Sequence, residues 1–164
     1  GGIGDDFFDV EDTFVGEGLV ILGGEGSDRV LAAFLSIHGQ FMIDAGSGQD
    51  EVRVFHLSHT GTLAIRTGSG GDTVALQRST ISVDASIATG KGPDAVHVDG
   101  NVFGGRLGVD LGTGNDRLGI AANQVSDEAA LMGRTGRDTL FDAGDNDYLV
   151  PPGITGFEVF AEAP

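Results

Sequence analysis

The stretch Gly24-Glu25-Gly26-Ser27-Asp28-Arg29-Val30 returns as Gly46-Ser47-Gly48-Gln49-Asp50-Glu51-Val52, displaced by 22 residues. The shared frame is Gly-x-Gly-x-Asp-x followed by an apolar residue, and it returns seven times without an insertion, the last time without its first glycine. Its aspartates are Asp6, Asp28, Asp50, Asp72, Asp94, Asp116 and Asp138, preceded two places earlier by Gly4, Gly26, Gly48, Gly70, Gly92, Gly114 and Gly136. An outer glycine stands at Gly2, Gly24, Gly46, Gly68, Gly90 and Gly112, with Arg134 in its place in the last copy. A fixed period of this length marks a repeat architecture, in which each unit buries its apolar face only against its neighbours.

Rows of 22 residues turn the chain into columns. Two places after the aspartate stand Phe8, Val30, Val52, Val74, Val96, Leu118 and Leu140; two further on stand Val10, Ala32, Val54, Leu76, Val98 and Ile120, then Asp142. Alternation of this kind has the period of a strand with one buried face. A second apolar pair precedes the next motif, as in Leu19 with Ile21, Phe41 with Ile43 and Leu63 with Ile65. A third column holds Val15, Ile37, Ile81, Phe103 and Val125, with His59 as the exception. No segment carries a helical apolar period. Three short strands and three corners per row predict an all-β, right-handed parallel β-helix of about seven coils, since successive strands of one coil supply the crossovers that parallel pairing needs. At ~4.8 Å per coil the rod is about 34 Å long. Residues 1–150 form the repeats, and residues 151–164 read as a C-terminal cap, with Ile154, Phe157, Val159 and Phe160 placed to cover the last coil's open edge.

Composition narrows the setting. The 29 glycines and 40% hydrophobic content suit a turn-rich solenoid. Cysteine is absent, which removes disulfides and thiolate metal sites. A net charge of −16 argues against nucleic acid, whose phosphates want a basic stripe. No apolar run is long enough to span a membrane. With no initiator methionine or signal peptide at its start, the chain reads as a segment of a longer protein.

The motif suggests its own chemistry. Paired glycines let a corner adopt positive φ and expose its carbonyls. Stacked aspartates at this spacing repel by on the order of 0.9 kcal/mol per neighbour even in water. A hard divalent cation with oxygen ligands neutralises them using carboxylates and glycine carbonyls, which is the set calcium prefers. The bland reading is an aspartate that caps corner amides and binds no metal. These motifs, Gly24 to Val30 and Gly112 to Leu118 above all, resemble the calcium-binding nonapeptide Gly-Gly-x-Gly-x-Asp-x-aliphatic-x of RTX proteins. The resemblance covers Gly2 to about Leu140 and implies a calcium-filled solenoid of secreted bacterial proteins, extracellular or at the cell surface. It departs from the family's 18-residue coil with motifs on both sides, and the first of the paired glycines survives only at Gly1, Gly23 and Gly133. A single motif per coil is closer to the repeat regions of giant bacterial surface adhesins, including a calcium-dependent ice-binding domain.

Calcium is therefore the expected cofactor, held by Asp6 to Asp138 together with the outer and inner glycines from Gly2 to Gly114. Arg134 and Arg137 flank Asp138, so that position is the one expected to stay empty, with arginine pairing its carboxylate. Asp44 and Asp110 precede outer glycines and read as outer ligands or as a solvated face. His38, His56, His59 and His97 fall in four different columns and do not converge as a zinc site requires; His59, in an inward column, reads as a buried, hydrogen-bonded histidine. The cluster Asp142, Asp145 and Asp147 reads as an exposed acidic turn or a degenerate calcium loop. Strict spacing leaves no room for the loops that build a catalytic cleft, and Arg53, Arg66, Arg78 and Arg106 lie in different columns, so no enzyme is expected. Ice binding needs a repeated Thr or Asn ladder, and only Thr113 with Asn115 supplies a rung. The expected role is a calcium-rigidified stalk module of a larger protein; the rival is a carbohydrate-binding or carbohydrate-cleaving β-helix, whose partner would be a cell-surface polysaccharide.

Overall fold

The computed structural model describes residues 1–162, with side chains through 158. The chain winds as a parallel β-solenoid of three long sheets, with a two-stranded ladder, Thr113–Gly114 beside Thr135–Gly136, at the motif corner. A five-residue strand follows most motifs, as in Glu51–Phe55, Thr73–Gln77 and Ala95–Asp99. A two-residue strand comes next, as in Ser58–His59 and Thr80–Ile81, and a third leads into the next motif, as in Leu63–Arg66 and Ala85–Ala88. We call these the post-motif, short and pre-motif sheets. Every pairing is parallel, and Val52, Val74, Val96 and Leu118 lie in one file, as do His59, Ile81, Phe103 and Val125. There is no helix among the described residues.

The alternation explains the core. Along Ala95–Asp99 the inward Val96 and Val98 are fully buried, and Ala95, His97 and Asp99 face out. Phe41 and Phe103 are the largest side chains fully enclosed in the file of aliphatic rungs. In the first coil Phe8, Val10, Val15 and Leu19 are only partly buried, because a coil stacks on them from one side alone. His59 is 1% exposed; its Nδ1–H donates to the Ile37 carbonyl at 3.0 Å, and its ring meets Phe41 edge to face. This is the buried, bonded histidine its inward column implied.

The C-terminal segment covers the seventh coil by continuing it. One residue is inserted, so that Gln124 registers with Asp147 and Ala130 with Gly153. Three are then removed at the next corner, so that Thr139 registers with Val159. Ile154 packs against the core and Phe157 is 9% exposed, as a cap requires. The side chains of Val159 and Phe160 lie outside the described residues.

A polar ladder runs inside the corner after the post-motif sheet. Asn123 Oδ1 accepts the Asn101 backbone N–H at 3.1 Å, and Asn146 Oδ1 accepts that of Asn123 at 3.0 Å. The side-chain amides donate in turn, Asn101 to the Leu76 carbonyl at 2.8 Å and Asn123 to that of Val98 at 2.7 Å. The ladder opens with Ser79, whose N–H donates to Asn101 Oδ1 at 2.9 Å. A buried amide left without an acceptor costs about 1–3 kcal/mol. Asn123→Ala strips the acceptor from Asn101 and removes the side-chain donor to the Val98 carbonyl and to Asn146 Oδ1, which keeps only the backbone N–H of residue 123, so the melting temperature is expected to fall by roughly 5–10 °C. A thermal melt followed by circular dichroism checks it, and an unchanged midpoint would remove the ladder's role.

Candidate functional site

Each motif aspartate stands where the corner enters the post-motif strand, and its side chain turns inward. Asp28, Asp50, Asp72, Asp94, Asp116 and Asp138 are at most 3% exposed, whereas Asp6, at the open end, is half-buried. One carboxylate oxygen has a defined task. Oδ1 of Asp28 accepts the backbone N–H of Asp6 at 2.8 Å, Oδ1 of Asp50 that of Asp28 at 2.8 Å, and the relation repeats through Asp138, which accepts from Asp116 at 3.0 Å. The corner turns the aspartate amide along the rod axis, where the next coil presents a carboxylate instead of a carbonyl.

The file does not stop at the last motif. Glu158 Oε2 accepts the Asp138 N–H at 2.6 Å and supplies an eighth rung. Because the corner before it is three residues shorter, it lies 20 residues after Asp138 and escapes any search at a period of 22; a glutamate's extra methylene spans the altered corner.

The other oxygen is the anomaly. Oδ2 of all six buried aspartates, Asp28 through Asp138, is enclosed without a hydrogen-bond partner. Buried charge without compensation is costly, and either a proton or a cation on this row lowers that cost. Burial pushes Asp50 and Asp116 from 3.8 up to about 6, against the amide bond that favours the charged form, with the neighbouring aspartates adding to the rise. Burial also raises Asp72, Asp94 and Asp138. Thr67 and Thr89, buried beside Asp72 and Asp94, give their hydroxyl protons to the Thr89 and Leu111 carbonyls, at 3.3 and 2.9 Å.

The glycines shape the corner. Positive φ occurs at Gly24, Gly46, Gly68, Gly90 and Gly112 in the outer file and at Gly4, Gly26, Gly48, Gly70, Gly92 and Gly136 in the inner one. Gly70 shows why nothing else fits: at φ +143° a β-carbon would sit 1.5 Å from the Gly48 carbonyl oxygen. Gly2 and Gly114 are not in this left-handed region. The carbonyls expected as cation ligands are engaged between coils, with Gly46 accepting the Ser69 N–H at 3.1 Å and Gly90 that of Thr113 at 2.7 Å. A carbonyl oxygen keeps a second lone pair. Among the described residues no three His, Cys, Asp or Glu side chains converge on one point, so a cation on this row would need backbone oxygens beside the carboxylates. The unpartnered Oδ2 row fits such a hard cation, and Leu111, packed in the file that holds Thr67 and Thr89, adds no ligand beside Asp116.

No protein-family model, curated protein or solved structure matches this chain. Arg134 does not pair with Asp138: its Nε and Nη2 clamp Asp110, with the shortest contact 2.6 Å. The guanidinium lies on the outer surface, while the Asp138 carboxylate points into the coil and is as enclosed as the others. Asp110 is thereby a salt-bridge partner, and Asp44 registers beside Arg66 on the pre-motif sheet. Asp142 and Asp145 hold their turn together, accepting the N–H groups of Gly144 and Ala122, each at 2.8 Å. The histidines remain apart: His38 meets Phe14 edge to face, and His56 stacks on Phe34 at 4.8 Å.

Besides Glu158, two features escaped the reading of the columns. Asn101 and Asn123, 22 residues apart, were visible as a pair. The other is a groove on the outer face of the post-motif sheet, about 690 Å³ in volume, lined by Gln77, His97, Asp99, Arg117, Gly119 and Phe141 among others. Its polar groups come from three different columns, which adjacent coils bring onto one face.

Proposed function

We propose that this chain is a calcium-stabilised spacer, a stiff segment of a larger secreted or cell-surface protein, similar in design to the RTX-like repeats its motifs resemble. The observation that carries the reading is the row of six buried aspartate Oδ2 atoms with no partner. Calcium takes oxygen ligands in flexible geometry and, when bound, supplies the positive charge the row lacks. Asp28, Asp50, Asp72, Asp94, Asp116 and Asp138 would hold it, with glycine carbonyls of the same corners. The same aspartates keep their Oδ1 atoms on the amides of the preceding coil, so one side chain both fixes the register and presents charge.

A module of this kind acts by shape and rigidity, with no reaction to catalyse. At extracellular, millimolar calcium even weak sites fill, whereas in a cytosol far poorer in calcium they stay empty and the acidic row disfavours compaction. Such a segment is exported loose and stiffens outside. Equilibrium dialysis of the purified chain against millimolar calcium, followed by metal analysis, tests this directly. Several ions per chain, up to about six, are expected from the ligand row; fewer than one ion per chain would leave the aspartates as amide caps alone.

A further inference from the structure

The groove on the post-motif sheet is a gap in an otherwise occupied surface. Ala75, His97, Gly119 and Phe141 form one outward file, so Gly119 leaves a place without a side chain between an imidazole and a phenyl ring. His97 fits close against this place: a β-carbon at Gly119 would lie 2.9 Å from its Nδ1. The neighbouring file runs Phe55, Gln77, Asp99 and Ala121, so an amide and a carboxylate edge the gap on one side. Arg117, exposed, edges it on the other. An apolar floor, a phenyl ring, an amide, a carboxylate and a guanidinium are thus gathered within one stretch of this face.

We propose that this groove binds a neutral polysaccharide, with one sugar ring laid against Phe141 and the hydroxyls of successive sugars bonded to Arg117, Asp99 and Gln77, which lie on successively earlier coils. A sugar hydroxyl both donates and accepts, which suits a guanidinium and a carboxylate on opposite rims of the groove; an anionic sugar meets Asp99 and the chain's net charge of −16. The volume of about 690 Å³ is that of a small-ligand site. A protein partner would need a contact of roughly 800 Å² on this side. The ligand is a chain and not a single sugar because the rim extends. Gln77 registers with Phe55, whose ring meets Phe34 and His56 edge to face. Phe55 and Phe141 belong to the third and seventh coils, about 19 Å apart at ~4.8 Å per coil, so a linear glycan lying along the rod meets aromatic surface at both ends.

This inference does not rest on calcium, and its test is run with and without it. Affinity electrophoresis through gels carrying dextran, mixed-linkage β-glucan or galactomannan, with alginate and polygalacturonate gels beside them, reads the interaction. Retardation by at least one neutral gel is expected, weakened at least tenfold in dissociation constant by Phe141→Ala and by Gly119→Val, and unchanged by Arg106→Ala on a different face. Arg117→Ala, at an exposed position, gives the same answer without touching packing, and circular dichroism confirms that each variant is folded. Absence of retardation in every neutral gel overturns the proposal. So does equal retardation of wild type and groove variants, or retardation by the acidic gels alone. Cleavage of the polysaccharide would overturn the assignment as a binding groove.

Discussion

Withdrawing calcium at pH 8 lowers the melting temperature of this chain by about 20 °C, if the unpartnered carboxylates hold the ion as proposed. Six sites, each at roughly ten times its dissociation constant, contribute about 1.4 kcal/mol apiece, or about 8 kcal/mol together, by ligand linkage. A domain of this size moves by about 2–4 °C per kcal/mol. The measurement is a pair of thermal melts by circular dichroism, in excess chelator and in millimolar calcium. Identical midpoints would falsify the spacer's dependence on calcium and leave the solenoid standing on its apolar core.

The same row predicts an inverted pH response in calcium-free buffer. The folded pKa of Asp50 and of Asp116 lies at about 6, above the ordinary 3.8, because burial disfavours the charge. A group raised in the folded state stabilises fully below its unfolded pKa and loses that contribution as pH rises through the folded value. The calcium-free rod is therefore most stable near pH 4 and weakens between about pH 4 and 7, with both groups acting in the same direction. Calcium flattens the curve. Asp72→Asn separates the two roles of the side chain, since its Oδ1 still accepts the Asp50 N–H while its charge is gone. That variant is expected to melt several degrees higher than wild type without calcium and several degrees lower with it. Asp72→Ala loses the cap as well and melts lower in both, by about 1–3 kcal/mol in stability from the orphaned amide. Paired melts at pH 5 and pH 8 in metal-depleted and calcium-loaded buffer read all of this. A shift of the same sign for Asp72→Asn in both buffers counts against cation binding.

The file of aspartates was legible because a solenoid converts sequence period into spatial position: residues 22 apart share a column, and a column shares an environment. His59 was readable on the same ground, since its column is otherwise Val15, Ile37, Ile81, Phe103 and Val125. Glu158 was not, because it lies off the period and only the shortened corner returns it to the file. Arg134 was misplaced onto Asp138 by adjacency along the chain. A corner sends neighbouring side chains in opposite directions, so the guanidinium found Asp110, 24 residues earlier, on the outside.

The period and alternation of this sequence by themselves determined the coil, its three strands, its inward files and the stacking of seven aspartates at one corner, because strand direction and coil length leave a 22-residue repeat little other way to bury its apolar residues. Tertiary structure alone decided how each carboxylate divides its oxygens, one on the previous coil's amide and one enclosed without a partner. It also decided that Gln77, His97, Asp99 and Arg117 share a groove. Both depend on the axial distance between coils and on lateral packing across files, and neither quantity is carried by a position within the repeat.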